Sequence, residues 1–360
     1  LKGNRFVDAD DRNSPLFMSN DAFTNMPWPA RHLMDIDSYN FHIEGKKGLT
    51  LISQLGCPFM CTFCSGRNSP TFRKIRTRSV ENIVAEIEHM HKTWGIEAYT
   101  FYDDELNVSK TLPDLLRLLI DYQRKHNVQF NLRGSLKAEL FNEEQAELFR
   151  DAGFKKLVVG FESGSPRILA NINKRATRED NTRCIEIGRK YNLDIKALMS
   201  IGQAGESFET IKETKYWLKE VKPSEFDVTI ITVIPGSPYY DDARQIENTG
   251  TIGADVISTD KNIYVFEARK TKDKLYSIEV DNINELEYYK GIPGEYNAFV
   301  FTDHLSRKDL VDCREELDTE VTKFLGHKRD TSIEAQFYEH SMGMLPNFIL
   351  RSSEPPASTT

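Results

Sequence analysis

From residue 48 to about 240, short apolar runs alternate with amphipathic stretches of roughly ten to twenty residues. That rhythm predicts βα units and a parallel sheet. Strands are expected at 49–55, 98–102, 129–133, 156–161, 195–201 and 226–233, and helices at 80–94, 112–126, 143–152, 178–191 and 208–221. Helix starts are well marked. Ser79 precedes the first, and Asn142 precedes the third with Gln145 three residues past the cap, close to a capping box. Gly95 and Gly153 fall just past helix ends, where a left-handed cap favours glycine. Six such units make an open or partial barrel rather than the closed eightfold one.

The flanks lack this rhythm. Residues 1–45 scatter Asp, Asn and Pro without a period, and Met26-Pro27-Trp28-Pro29-Ala30-Arg31 cannot open a regular helix, because each proline restrains its predecessor. A packed linker is expected there. Beyond 240, strand-like 264–269 and 276–280 and a charged helix at 306–325 predict a mixed extension over 241–350 that covers the open side of the barrel. A tail at 351–360, rich in Ser, Pro and Thr, is expected to be disordered. The expected fold class is α/β: a partial (β/α)6 barrel over 46–240, an irregular N-terminal linker and an α+β C-terminal extension.

Composition narrows the partners. A net charge of −8 over 360 residues argues against nucleic acid. There is no run of about eighteen apolar residues, hence no expected membrane span. No basic segment followed by an apolar one opens the chain, so a cytoplasmic location is expected. Of five cysteines, three are clustered and two stand alone, which fits a reducing compartment better than a disulfide framework. Cys184 and Cys313, in helical runs, read as ordinary thiols, and His304 as structural. The basic residues Arg67, Arg73, Lys74, Arg76 and Arg78 have two readings, a solvated loop or anion contacts at a substrate mouth.

The densest chemistry is Cys57, Cys61 and Cys64, a C-x3-C-x2-C spacing just after the first expected strand. Three thiolates on one loop can ligate three irons of a cubane cluster, leaving the fourth iron open for substrate. Structural zinc would need a fourth ligand from distant His42, His89 or Cys184. Sites on parallel sheets gather at the C-terminal strand ends. There stand Tyr102-Asp103-Asp104-Glu105, Arg133 with Ser135, Gly160-Phe161-Glu162-Ser163-Gly164-Ser165, Gly202-Gln203-Ala204-Gly205-Glu206 and Pro235-Gly236-Ser237-Pro238. All are expected on one rim with the cysteines.

The cysteine loop, with Phe63 before its last cysteine, and this rim resemble the radical S-adenosylmethionine (SAM) superfamily over about residues 48–240. Within it, Phe101-Tyr102-Asp103-Asp104, the Gly160–Ser165 turn, Ile172-Asn173-Lys174, Gly205-Glu206 and Pro235–Pro238 are most similar to the cobalamin-associated branch, the relatives of class B radical methylases. The resemblance implies a 4Fe-4S cluster on Cys57, Cys61 and Cys64, whose open iron chelates SAM. It implies reductive cleavage to a 5′-deoxyadenosyl radical that takes hydrogen from a small organic substrate. Asp103, Asp104 and Glu105 occupy the place of the SAM amino-group cradle. Glu162 and Ser163 match the turn that meets the ribose or amino-acid moiety, Arg133 is placed to pair with the SAM carboxylate, and Phe63 to lie at the adenine edge. An external donor of the flavodoxin or ferredoxin kind is implied.

Ala204 stands where relatives usually carry proline. The Asp-x-His-x-x-Gly signature of a cobalamin-binding domain does not occur in the 360 residues. Two readings follow: the chain begins after such a domain, or it works without cobalamin. Cobalamin-dependent methylation is the first expectation, radical dehydration or rearrangement of a sugar-like substrate the second. A non-enzymatic iron–sulfur electron carrier is the alternative from another class.

Overall fold

The computed structural model describes residues 18–39, 41–279 and 297–326. Six parallel strands form its centre: β1 (Lys46–Leu51), β2 (Ala98–Phe101), β3 (Asn131–Leu136), β4 (Phe154–Glu162), β5 (Asp194–Ile201) and β6 (Glu225–Ile230). They lie side by side in chain order. A short antiparallel strand, His42–Ile43, extends the sheet beyond β1. Between the strands run α1 (Val80–Trp94), α2 (Leu112–His126), α3 (Glu143–Ala152), α4 (Arg178–Lys190) and α5 (Phe208–Val221). The expected partial (β/α)6 barrel is present as a curled sheet of seven strands, left open between its first and last.

The caps are as expected. Ser79 Oγ accepts from Asn82 N at 3.2 Å, and Asn142 Oδ1 from Gln145 N at 2.9 Å. Gly95 and Gly153 take left-handed caps. The largest differences from expectation are at strand ends; the sixth strand, for one, stops at Ile230 rather than at residue 233. The first apolar run does not continue to residue 55. The chain leaves the sheet after Leu51, and Gln54–Leu55 pairs antiparallel with Arg76–Thr77. β3 starts late because Gln123 Oε1 captures Phe130 N at 2.7 Å.

Side chains alternate across the sheet, as a strand's period of two requires. Tyr99, Phe101, Leu132, Leu136, Leu157, Val159, Ile195, Ala197, Met199, Phe226 and Val228 are buried in the main apolar core with the helices. The intervening positions include Thr100, Arg133, Ser135, Lys156, Lys196, Ser200, Glu225 and Asp227. A parallel sheet packed on both faces would be apolar on both. Here the concave face is polar, which marks it as the lining of a lumen. Lys156 on β4 and Lys196 on β5 both meet the Glu225 carboxylate on β6. The first contact reaches across a whole strand on the shared face.

The C-terminal part forms a second, antiparallel sheet in the order β7 (Arg244–Ile246), β8 (Ile263–Glu267), β9 (Lys274–Ile278), β10 (Val300–Phe301). Strands β8 and β9 fall in the two strand-like runs, and residue 280 and the tail at 351–360 lie outside the described residues. Helix α6 (Arg307–Leu325) packs against α5 and β6. Its buried Arg314 donates from Nε to Val228 O at 3.2 Å, which satisfies a carbonyl on the sheet's edge strand. Asp273 ties this part to the barrel rim: its carboxylate accepts from Arg167 Nε at 2.9 Å and Asn171 Nδ2 at 2.8 Å.

In the N-terminal segment, the proline run leads into short 3-10 turns at Arg31–Leu33 and Ile36–Ser38. Arg31 and Arg78 share the buried Glu86, each at 2.6 Å. Among the described residues, no helix is long and apolar enough to cross a membrane.

Candidate active site

The cysteine loop is held almost entirely through its backbone. Gly56 N donates to Asp104 Oδ2 at 3.0 Å, Cys57 N to Phe72 O at 3.0 Å and Thr62 N to Ile172 O at 3.0 Å. Cys57 O accepts from Arg67, Met60 O from Asn173 Nδ2 and Thr62 O from Tyr239 N. Elements that follow β2, β4 and β6 thus converge on one loop. Gly56 has φ +91°, and a Cβ there would lie 2.3 Å from Lys74 O, so the residue before Cys57 has to be glycine. The backbone carries the anchoring bonds, and the thiols make only weak contacts of their own, Cys64 Sγ to Ser65 O at 3.7 Å and Cys57 with the Phe59 backbone.

All three thiols are half-buried. Burial raises each, and pushes Cys64 up to about 11. Unligated, they stay protonated, and iron would have to displace the protons. Lys174 and Lys137 favour the thiolate at Cys61, Arg67 at Cys57 and Cys64. No three His, Cys, Asp or Glu side chains among the described residues are gathered as single-ion ligands. Cys184 is buried on α4 in the main core, and His89 packs against Trp28 and Trp94. The donor set, three thiols flanked by three cations, fits an anionic iron–sulfur cluster.

Beside Cys61 lies a buried ionic cluster. Lys174 Nζ donates to Glu162 Oε1 at 2.8 Å, and Glu162 Oε2 accepts from Ser200 Oγ at 2.9 Å. A Cβ on Gly160 would meet both partners of the ion pair, at 2.6 and 2.8 Å. Glu162 itself has φ +65°, a strained conformation for a non-glycine residue at the strand's bulge. Lys137 Nζ pairs with Glu139 at 2.8 Å, donates to Lys174 O and sits 4.1 Å from the centre of the Phe59 ring. Burial pushes the Glu105 carboxyl up to about 7 against the pull of Lys174 and Lys137.

The acidic run after β2 divides its work. Asp103 accepts from Ser53 N at 2.7 Å, Gln54 N at 3.0 Å and the Ser53 hydroxyl. Burial still raises its carboxyl to about 6. Asp104 holds Gly56. Both carboxylates are therefore engaged in shaping the cysteine loop, and Glu105 alone of the three faces the lysines. Ser163 turns the other way, its Oγ 3.0 Å from Thr214 Oγ1 on α5. Phe63 packs against the small cluster of Ile168, Leu169 and Ile172. Arg133 is not brought to the loop; its charge neighbours are Glu225 and Tyr102.

The basic run after the cysteines fits neither expected reading in full. Arg67, Arg76 and Arg78 are buried. Arg67 and Arg76 donate to loop carbonyls, and Arg78 to Ile52 O and Asn82. Charge alone could not distinguish arginines that solvate a surface from arginines that fold a loop. Lys137 was missed by sequence reasoning. Its only signal is its place at the end of β3, where a rim residue belongs.

Glu206, after β5, is buried and accepts from Thr210 Oγ1 at 2.6 Å. Burial pushes its carboxyl up to about 7 from 4.5. The folded state therefore binds a proton that the unfolded state has released between those values. The stability this contributes is full below 4.5 and lost as pH rises through about 7. Glu206→Gln is expected to flatten the pH dependence of stability in that window by at most about 1.4 kcal/mol per pH unit. Urea unfolding at pH 5.5 and 7.5 checks this.

Residues 51–218 match the radical SAM superfamily model. Over 213 residues the chain is 28% identical to an uncharacterized methyltransferase of Pyrococcus horikoshii, covering 59% of this chain and 45% of that one. It is 27% identical over 186 residues to the anaerobic magnesium-protoporphyrin IX monomethyl ester cyclase of Rubrivivax gelatinosus, covering 51% and 33%. The fold is similar to the radical SAM methyltransferase TsrM of Kitasatospora setae, solved with cobalamin and a [4Fe-4S] cluster: TM-score 0.50, 20% identity, 55% of this chain and 39% of that. The chain spans less than half the length of these relatives. It carries a radical SAM domain at residues 51–218. The cofactors of the class are a 4Fe-4S cluster and SAM.

Proposed function

We propose that this chain is the radical-generating core of a cobalamin-associated radical SAM methylase acting on a small organic substrate. The observation that carries the reading is the backbone-held loop of three free thiols, facing the buried Lys174–Glu162 pair and Glu105 across one rim. Cys57, Cys61 and Cys64 would hold the cluster. A reduced cluster held there would donate one electron to the sulfonium of SAM, and breaking of its carbon–sulfur bond would supply methionine and a hydrogen-abstracting 5′-deoxyadenosyl radical.

The chain's own residues bind, orient and shield. Glu105 and Glu162 are the carboxylates left to meet an ammonium or a ribose hydroxyl. Asp103 and Asp104 act behind them as positioning residues. Phe63 and Phe59 supply apolar surface beside the cysteines, and Lys137 and Lys174 offset the negative charge of thiolates. An external reductant of the flavodoxin or ferredoxin kind is part of this reading. The name methyltransferase, carried by the Pyrococcus horikoshii relative, supports methyl transfer as the first reaction to test, while the cyclase shows that other chemistry occurs among the relatives.

The test supplies reduced, cluster-loaded protein with SAM, methylcobalamin and candidate acceptors. Formation of both 5′-deoxyadenosine and S-adenosylhomocysteine is the expected result. 5′-Deoxyadenosine alone, with or without cobalamin, would replace methylation by dehydration or rearrangement.

A further inference from the structure

The lumen holds a cation that the chemistry above does not use. Arg133 is 8% exposed. Its guanidinium makes no hydrogen bond or ion pair with any described residue. Burial lowers its affinity for its proton, opposed by the field of Glu225 and of Tyr102. Glu225 is already bonded by Lys156 and reached by Lys196 at 4.0 Å, and Lys196 also has the field of Asp227. Three cations thus face two carboxylates inside the curled sheet, and the unmatched charge is the arginine.

Directly across the ladder from Arg133 is Thr100. Cross-strand partners share a face, so both point into the lumen. The Thr100 hydroxyl is buried and has no partner among the described residues. A guanidinium without a partner beside a buried hydroxyl without one offers donors to an oxyanion. A cavity of about 550 Å³, walled by Trp28, Thr50, Ile52 and Tyr102 among others, shares Tyr102 with the surroundings of Arg133.

The cysteine thiols have Glu105, Asp104, Glu162, Arg67, Lys137 and Lys174 as their charge neighbours, but not Arg133. A molecule chelated at the cluster lies among those groups rather than on the lumen floor. We propose that Arg133 and Thr100 receive an oxyanion of the substrate, a carboxylate or a phosphoryl group, and do not hold the carboxylate of SAM. This deepens the proposed function and rests on it for the identification of the occupant as substrate.

The probes are inorganic phosphate and acetate, titrated against the full chain with its cluster and followed by the thermal midpoint. SAM affinity is measured in parallel by equilibrium dialysis. At least one probe is expected to bind wild type, and the stronger of the two identifies the group as phosphoryl or carboxylate. Arg133→Gln is expected to weaken that binding by roughly tenfold or more, with SAM affinity unchanged. Arg133→Lys, which keeps the charge and loses the fork, should fall between, and it serves as the test if the glutamine variant does not fold. Equal probe binding in wild type and variant, or no binding of either probe, overturns the proposal. So does loss of SAM affinity in Arg133→Gln, which would return the arginine to the SAM site. Wild-type protein that binds the probe but yields no 5′-deoxyadenosine would instead sink the proposed function, leaving a lumen anion site.

Discussion

Cys61→Ala is expected to abolish the brown iron–sulfur chromophore after anaerobic loading and to reduce 5′-deoxyadenosine formation by roughly a thousandfold or more. The thiol cannot be replaced locally, because Cys184 and Cys313 are buried on helices away from the loop. The loop itself should survive, since its contacts run through the main chain at Gly56, Cys57, Met60 and Thr62. Circular dichroism and the unfolding midpoint of the apoprotein should therefore be close to wild type. Cys184→Ala is the contrasting control: it should keep the chromophore and lose about 1–2 kcal/mol of stability through a small core cavity. Iron and sulfide assays with urea titrations distinguish the two.

Lys174→Met is expected to destabilise the folded protein by about 3–5 kcal/mol, because it leaves the Glu162 carboxylate buried without its partner. Burial alone would lower the Lys174 ammonium, but Glu162, with Cys61 and Glu105, holds it above its ordinary value. The pair is thus mutually dependent. The double variant Glu162→Gln/Lys174→Met removes both charges and should recover most of the loss. It should not recover SAM binding, since the proposed site uses Glu162 to meet the ligand. Recovery of both would reduce the pair to a packing feature. Urea unfolding and equilibrium dialysis with SAM report the two quantities separately.

Local chemistry was legible in the sequence. The alternation of runs gave the six strands and five helices, the caps at Ser79, Asn142, Gly95 and Gly153 fell where expected, and the C-x3-C-x2-C loop and Glu162, both candidates in the sequence, lie near one another, Glu162 among the charge neighbours of Cys61. What escaped was decided by partners far along the chain. Three carboxyls in a row after β2 look alike, and only the folded positions of Ser53 and Gly56 commit Asp103 and Asp104 to bracing. The arginines from Arg67 to Arg78 look like a charged surface until their carbonyl acceptors are known. Arg133 read as a rim residue because the third apolar run was expected to end with it. β3 instead continues to Leu136, which leaves Arg133 inside the strand and facing the lumen. The first run showed the opposite error, since Asp103 draws the backbone out of the sheet after Leu51.

The most direct test is Mössbauer spectroscopy of iron-57-loaded, anaerobic protein before and after SAM is added. A 4Fe-4S signal in which one iron of the four changes its parameters on SAM addition is the expected result, reporting the site no cysteine occupies. A cluster whose irons are all unaffected by SAM, or a loop that takes up zinc and no iron, would contradict the account.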